Sequence, residues 1–260
     1  FPPSPPPPPP RADDVWDHEL VFAGGIWGWK NTGPHAVSRY SLGIRQQLWL
    51  RYGSKSAENA TGILISNATI PHDVWTRAKF CLAPAGNGWG IRIGISAILN
   101  CVPLVAQPHV VQGFEDVLPF DAFSRTIGEG DIAALPQALR SVSAAEIASK
   151  RQALEAVRGA FLWLGGSADG TPGLAYNYTL LALCHRAMEL HGRLRAGPRA
   201  SCDGLAARLP LAAARRRFPS WFPPELRNAT ERLISERRRA SEEREPRRGH
   251  SLGASRPGRL

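Results

Sequence analysis

The chain has 260 residues, 43% of them apolar, and a formal net charge of +10, which is material for one or two domains with their own cores. The charge is unevenly placed: 193–260 holds 17 of the 32 basic and 7 of the 22 acidic residues, which leaves 15 of each in 1–192. The excess therefore belongs to the tail, and a nucleic-acid reading of the remaining, neutral part is excluded.

Residues 2–10 contain eight prolines, so 1–16 reads as a disordered polyproline II spacer. The globular sequence runs from 17 to 192. Its first apolar run, Glu19 to Ala23, ends in Gly24-Gly25 and reads as a buried strand entering a tight loop. Tyr40 to Tyr52 follows as a helix with Ile44, Leu48 and Arg51 on one face and Ser38 or Ser41 as its cap. Gly62 to Ser66 is a second buried strand, and Pro71 opens a short helix running to Lys79. Strand 80–83, a helix over 89–99 and strand 102–106 form a βαβ crossover, with Ser124 to Ile127 as a last short strand. Helices are expected over Asp131–Ser141, Ala144–Leu164 and Leu174–Arg195. This alternation predicts an α/β fold, a Rossmann-like parallel sheet with helices on both faces. The segment 193–260, with arginine runs at 215–217 and 237–239, reads as a largely disordered tail, with Pro224–Arg244 as a helical stretch at most. Its few aromatics (Phe218, Trp221, Phe222) form no nucleic-acid motif, so no specific nucleic acid is expected as a partner.

Four of the seven asparagines, Asn59, Asn67, Asn177 and Asn228, open an Asn-x-Thr triplet, which leans toward a secretory lumen with glycosylation at those positions. No run of 18 apolar residues occurs, so no membrane span is expected within this sequence. The first residue is Phe1, and the chain reads as a piece of a longer protein with any membrane anchor upstream of the proline tract. Cys81, Cys101, Cys184 and Cys202 fit no zinc spacing, and the first two lie in apolar strands where buried thiols are common.

The chemistry concentrates in one loop. Gly86, Asn87, Gly88, Trp89 and Gly90 lead to Arg92 on the first turn of a helix. Glycines let backbone approach a phosphate, a helix start offers free N–H groups, and a guanidinium forks onto two oxygens. Trp89 offers a face for a base or sugar, against an equal case for a core role.

The run Lys79–Ser124 resembles the exostosin-like glycosyltransferases, family 47. Phe-Cys-Leu-Ala-Pro at 80–84, Gly-Trp-Gly-x-Arg at 88–92, Cys-Val-Pro at 101–103 and Phe-Glu-Asp at 114–116 carry the likeness. Leu-Val-Phe-Ala-Gly-Gly at 20–25 and Tyr-Ser-Leu-Gly-Ile-Arg at 40–45 match the family's entry into its second domain. The resemblance implies the C-terminal, donor-binding half of a GT-B fold. It also implies inverting transfer of a sugar from a nucleoside diphosphate, UDP-linked, to a glycan acceptor. No cofactor is implied. A metal-independent mode agrees with the absence of any Asp-x-Asp. Arg92 then serves the donor phosphates, Gly24, Gly25 and Arg45 border the same cleft, and Glu115 and Asp116 face ribose or sugar hydroxyls, with a helix N-terminal pair as the alternative. The catalytic base stays unassigned, since the acceptor-facing half is not in this sequence. Two departures stand out: Ile95 replaces the usual glutamate or glutamine, and Asn100 a glycine. A non-catalytic relic, or a partner subunit of an active homologue, is the competing expectation. In full-length form the family implies a type II membrane protein of the Golgi lumen.

Overall fold

A computed structural model describes residues 16–27, 40–86, 90–107, 110–163, 172–194, 202–206 and 209–210. Of the expected 1–16 spacer, 1–15 lies outside these, as do the 224–244 stretch and the arginine runs, while Trp16 packs against the core. Five strands form one parallel sheet: β1 (His18–Ala23), β2 (Ile63–Ser66), β3 (Ala78–Pro84), β4 (Val102–Ala106) and β5 (Arg125–Thr126), in the order β2-β1-β3-β4-β5. This is the expected Rossmann-like arrangement.

Strand alternation explains why both faces are covered. Leu20, Phe22, Phe80, Leu82, Val102 and Leu104 point to one side, onto α1 (Ile44–Tyr52) and α6 (Leu135–Arg140). Val21, Ala23, Cys81, Ala83 and Val105 point to the other, toward α3 (His72–Thr76) and α4 (Arg92–Ile98). With apolar residues on both faces the strands read as continuous apolar runs. Each fully buried Leu or Phe contributes roughly 1.5–3 kcal/mol by area. A second cluster gathers Phe123 of α5 (Phe120–Phe123), Leu154 and Val157 of α7 (Ala144–Val157), and Tyr178 and Leu181 of α8 (Ala175–Leu194).

Several boundaries differ from the sequence reading. Helix α1 has no serine cap: its N-cap is Gly43, Ser41 lies in a left-handed turn, and Ser38 is outside the described residues. Tyr52 shares its buried face instead of Arg51, which is exposed. Helix α3 stops at Thr76 because β3 takes over at Ala78, where Lys79 is buried with its ammonium on the Leu139 carbonyl (2.9 Å) and beside Glu19 (3.3 Å). The short α2 (Lys55–Thr61) was not anticipated. The 131–141 and 144–164 helices break into shorter pieces, with 3-10 turns at Glu129–Ile132 and Arg158–Phe161.

The state of the cysteines, open from the sequence, is given by the structure. Cys81–Cys101 and Cys184–Cys202 are disulfides, and no described cysteine is free. The first ties β3 to the start of β4; the second ties α8 to α9 (Asp203–Ala206), where Cys202 and Leu209 pack into the second cluster. Among the described residues no helix is long and apolar enough to cross a membrane.

Candidate functional site

The sheet order reverses direction between β1 and β3. The chain leaves β1 for β2 on one side, then returns to β3 on the other. Such a switch point opens a crevice at the carboxyl ends of the strands. The loops there are Gly24-Gly25 after β1 and Ala85-Gly86 after β3.

Two guanidinium groups converge on these loops. Arg45, the second residue of α1, is buried: its Nε donates to the Ala85 carbonyl (3.1 Å) and its Nη1 to the Gly25 carbonyl (2.8 Å) and the Tyr40 hydroxyl (2.6 Å). One side chain therefore holds both loops. Arg92, the first residue of α4, reaches across from the β3 side so that its Nη2 donates to the Ala23 carbonyl (2.6 Å). The ring of Phe22 lies under both, 5.2 Å from Arg45 Cζ and 5.3 Å from Arg92 Cζ. Neither arginine pairs with a carboxylate among the described residues. Burial pushes both below the ordinary guanidinium range, and the charge of Arg92 adds to that push on Arg45. Two half-desolvated cations without a counter-ion among the described residues are costly, and a bound anion would relieve that cost. Among the described residues, Arg45 Nη2 and Arg92 Nε and Nη1 have no acceptor.

The glycines make these approaches fit. A Cβ on Gly24 would lie 2.5 Å from Arg92 Nη2, so only glycine admits the guanidinium there. A Cβ on Gly90 would stand 3.1 Å from the Pro84 carbonyl. Gly86 lies beside Arg45 and accepts a hydrogen bond from the Ser41 N–H (2.9 Å), while Gly25 faces the Tyr40 ring hydroxyl. Asn87, Gly88 and Trp89, also expected here, lie outside the described residues.

Glu115 and Asp116 do not join the arginines. Glu115 accepts from the Gln112 N–H (2.8 Å) in its own turn. Asp116 turns to Arg186 of α8 at 3.6 Å. Ile95 packs into the apolar cluster of Val21, Trp75 and Leu99.

Sequence reasoning gave no role in the site to four neighbours, Tyr40, Ser41, Leu42 and Gln46. Ser41 and Leu42 adopt left-handed φ of 56° and 54° ahead of Gly43 at 79°, a conformation that costs a non-glycine residue about 1–2 kcal/mol. Ser41 is fully buried with its Oγ unpartnered among the described residues, as is the Oε1 of buried Gln46, whose Nε2 donates to the Ile26 carbonyl (2.6 Å). Tyr40 carries the hydroxyl that seats Arg45. The motif at 40–45 marks Tyr40, Ser41 and Leu42 but not their roles, which depend on the turn joining them to Gly86.

No family model matches the chain. Among curated proteins it is similar to a probable glucuronosyltransferase of Oryza sativa subsp. japonica, 25% identical over 116 residues (44% of this chain, 26% of the relative). It is similar to the probable β-1,4-xylosyltransferase IRX10 of Arabidopsis thaliana, 24% identical over 136 residues (52% and 32%). It is also similar to probable glucuronosyltransferase 47 A of Physcomitrium patens, 24% identical over 150 residues (56% and 32%). These likenesses bear out the expected resemblance to the family 47 glycosyltransferases. The chain spans about a third or less of the length of these relatives.

Proposed function

We propose that this chain is the donor-binding half of an inverting, metal-independent glycosyltransferase that takes a UDP-linked sugar and passes it to a glycan acceptor. The observation that carries the reading is the convergence of Arg45 and Arg92, neither paired with a carboxylate among the described residues, on the β1/β3 switch point. In such a transfer an acceptor hydroxyl oxygen bonds to the anomeric carbon while the bond from that carbon to the diphosphate oxygen breaks. The electron pair leaves with the nucleoside diphosphate, and the acceptor proton passes to a base. Charge grows on the departing phosphate, and preorganised guanidinium groups lower the energy of that charge without reorganising. The names of the relatives, glucuronosyl- and xylosyltransferases, support a sugar nucleotide as the anion. The base and the acceptor contacts belong to a second domain of the GT-B kind, for which the crevice supplies one wall.

The two disulfides and the four glycosylation triplets support residence in the secretory lumen; we assign the full protein to the Golgi as a type II membrane protein. A second reading, a non-catalytic partner subunit of an active homologue, is favoured by Ile95, whose packing leaves no hydrogen-bonding group where the family pattern has a polar one.

Calorimetric titration of the full chain with UDP and GDP tests the donor site. Saturable binding of one nucleotide, weakened tenfold or more by Arg92→Ala (about 1.4 kcal/mol), is expected. Absence of binding to both refutes it.

A further inference from the structure

Three triplets that mark asparagine for N-linked glycosylation fall on described residues, and the fold treats them differently. Asn59-Ala60-Thr61 closes α2, where Thr61 Oγ1 is bonded to the Ala57 carbonyl (2.6 Å) and the Ala60 carbonyl accepts from Arg140 (2.8 Å). Asn177-Tyr178-Thr179 lies in the first turns of α8, where Tyr178 is buried and Thr179 Oγ1 is bonded to the Ala175 carbonyl (2.8 Å). On a helix, residues i and i+2 do not share a face, so in both places the amide and the hydroxyl that the modification reads together point apart. Asn67-Ala68-Thr69 is different. It forms an exposed bend after β2, all three residues face solvent, and Thr69 Oγ1 has no hydrogen bond. The bend is held from behind, through Ser66 Oγ on Ala68 (3.0 and 3.1 Å) and through the Ser66 carbonyl, which accepts from Gly24 N–H (3.0 Å).

We propose that Asn67 is the asparagine of this set that carries an N-linked glycan. The inference rests on the secretory reading above. In the modifying step, Nδ2 of Asn67 bonds to the anomeric carbon of an oligosaccharide carried on a lipid pyrophosphate. The bond from that carbon to the pyrophosphate oxygen breaks, the lipid pyrophosphate leaves with the electron pair, and one amide proton passes to a base of the membrane transferase. Acceptor triplets of this type occupy surface loops, which is the setting of Asn67 alone among the three. The glycan stands at the carboxyl end of β2, an edge strand of the sheet. There it shields an edge that otherwise invites pairing with another chain, and it stands beside the Gly24 loop without entering the crevice between β1 and β3.

The full chain is expressed behind a cleavable signal sequence in a eukaryotic secretory host. Its glycans are removed by amidase in heavy-oxygen water, which leaves a labelled aspartate at each formerly occupied asparagine, and peptides are read by mass spectrometry. The expected result is label at Asn67 and none at Asn59 or Asn177. Asn67→Gln and Thr69→Ala should each abolish it while Thr69→Ser retains it. An unlabelled Asn67, or equal label at Asn59 or Asn177, overturns the assignment. Because the host signal imposes the lumen, failure of the site is separable from failure of the compartment. A labelled Asn67 in the host with a bare Asn67 on protein from its own cells overturns the secretory reading and, with it, the modification in the cell.

Discussion

Replacing Gly24 by alanine probes the crevice through a single methyl group. Its Cβ would stand 2.5 Å from Arg92 Nη2 and 3.3 Å from Phe22 Cζ. Phe22 is fully buried beneath the sheet end and has nowhere to go, whereas the tip of Arg92 can swing. The guanidinium therefore leaves, and its bond to the Ala23 carbonyl (2.6 Å) breaks. A hydrogen bond to a charged group contributes about 1.5–3 kcal/mol, and each 1.4 kcal/mol is a factor of about ten in affinity. If that geometry is what presents Arg92 to an anion, UDP binding falls by roughly tenfold to a hundredfold. Stability falls as well, since Gly24 has φ of 155°, a strain of about 1–3 kcal/mol for a residue with a side chain. Calorimetry at a temperature well below unfolding separates the two effects. The decisive comparison is the double variant: Gly24→Ala in an Arg92→Ala background should bind no more weakly than Arg92→Ala alone, because both changes act through one side chain. Independent, additive losses, or wild-type binding by Gly24→Ala, would refute the reasoning.

Arg45→Lys keeps the charge but loses the fork. A single ammonium cannot span the Ala85 and Gly25 carbonyls and the Tyr40 hydroxyl, so urea denaturation should show a loss of about 2 kcal/mol. The loop closed by Cys81–Cys101, with a separation of 20 residues, implies that Cys81→Ser with Cys101→Ser lowers stability by about 3 kcal/mol. Both sulfurs are fully buried while Cys184 is partly exposed. Thiol labelling under reductant should therefore tag Cys184 in native buffer, and Cys81 and Cys101 only once the chain unfolds. Burial holds the His18 imidazole below its ordinary 6.5, more strongly than Glu58 and Asp17 raise it. The unfolded chain thus binds the extra proton first, and stability falls as pH drops from 6.5 toward the lower native value. His18→Gln should flatten the melting temperature between pH 7 and 5 relative to the native chain.

What the sequence disclosed follows from what was local. Strands β1 to β4 are legible because apolar runs bounded by glycine or proline are all a buried parallel strand needs. Helix α2 was missed because none of its residues is buried; without an apolar face there is no period to read. Only its ends spoke, Ser54 accepting from Ala57 N–H and Gly62 at φ 73°. Lys79 misled the reading of α3, since a lysine at a strand start looks like a solvated helix end until Glu19 and the Leu139 carbonyl arrive from elsewhere in the chain. Disulfide pairing was hidden for the same reason: spacings of 20 and 18 residues fix nothing until β3 meets β4 and α8 meets Cys202. The site shows both sides of this. Arg92 announces itself beside its glycines, but Arg45 is an ordinary helical arginine until the order β2-β1-β3 sets the Gly25 and Ala85 carbonyls side by side. Two loops distant in sequence become one acceptor pair only through the crossover, and the buried charge that they hold is the product of topology, not of either motif.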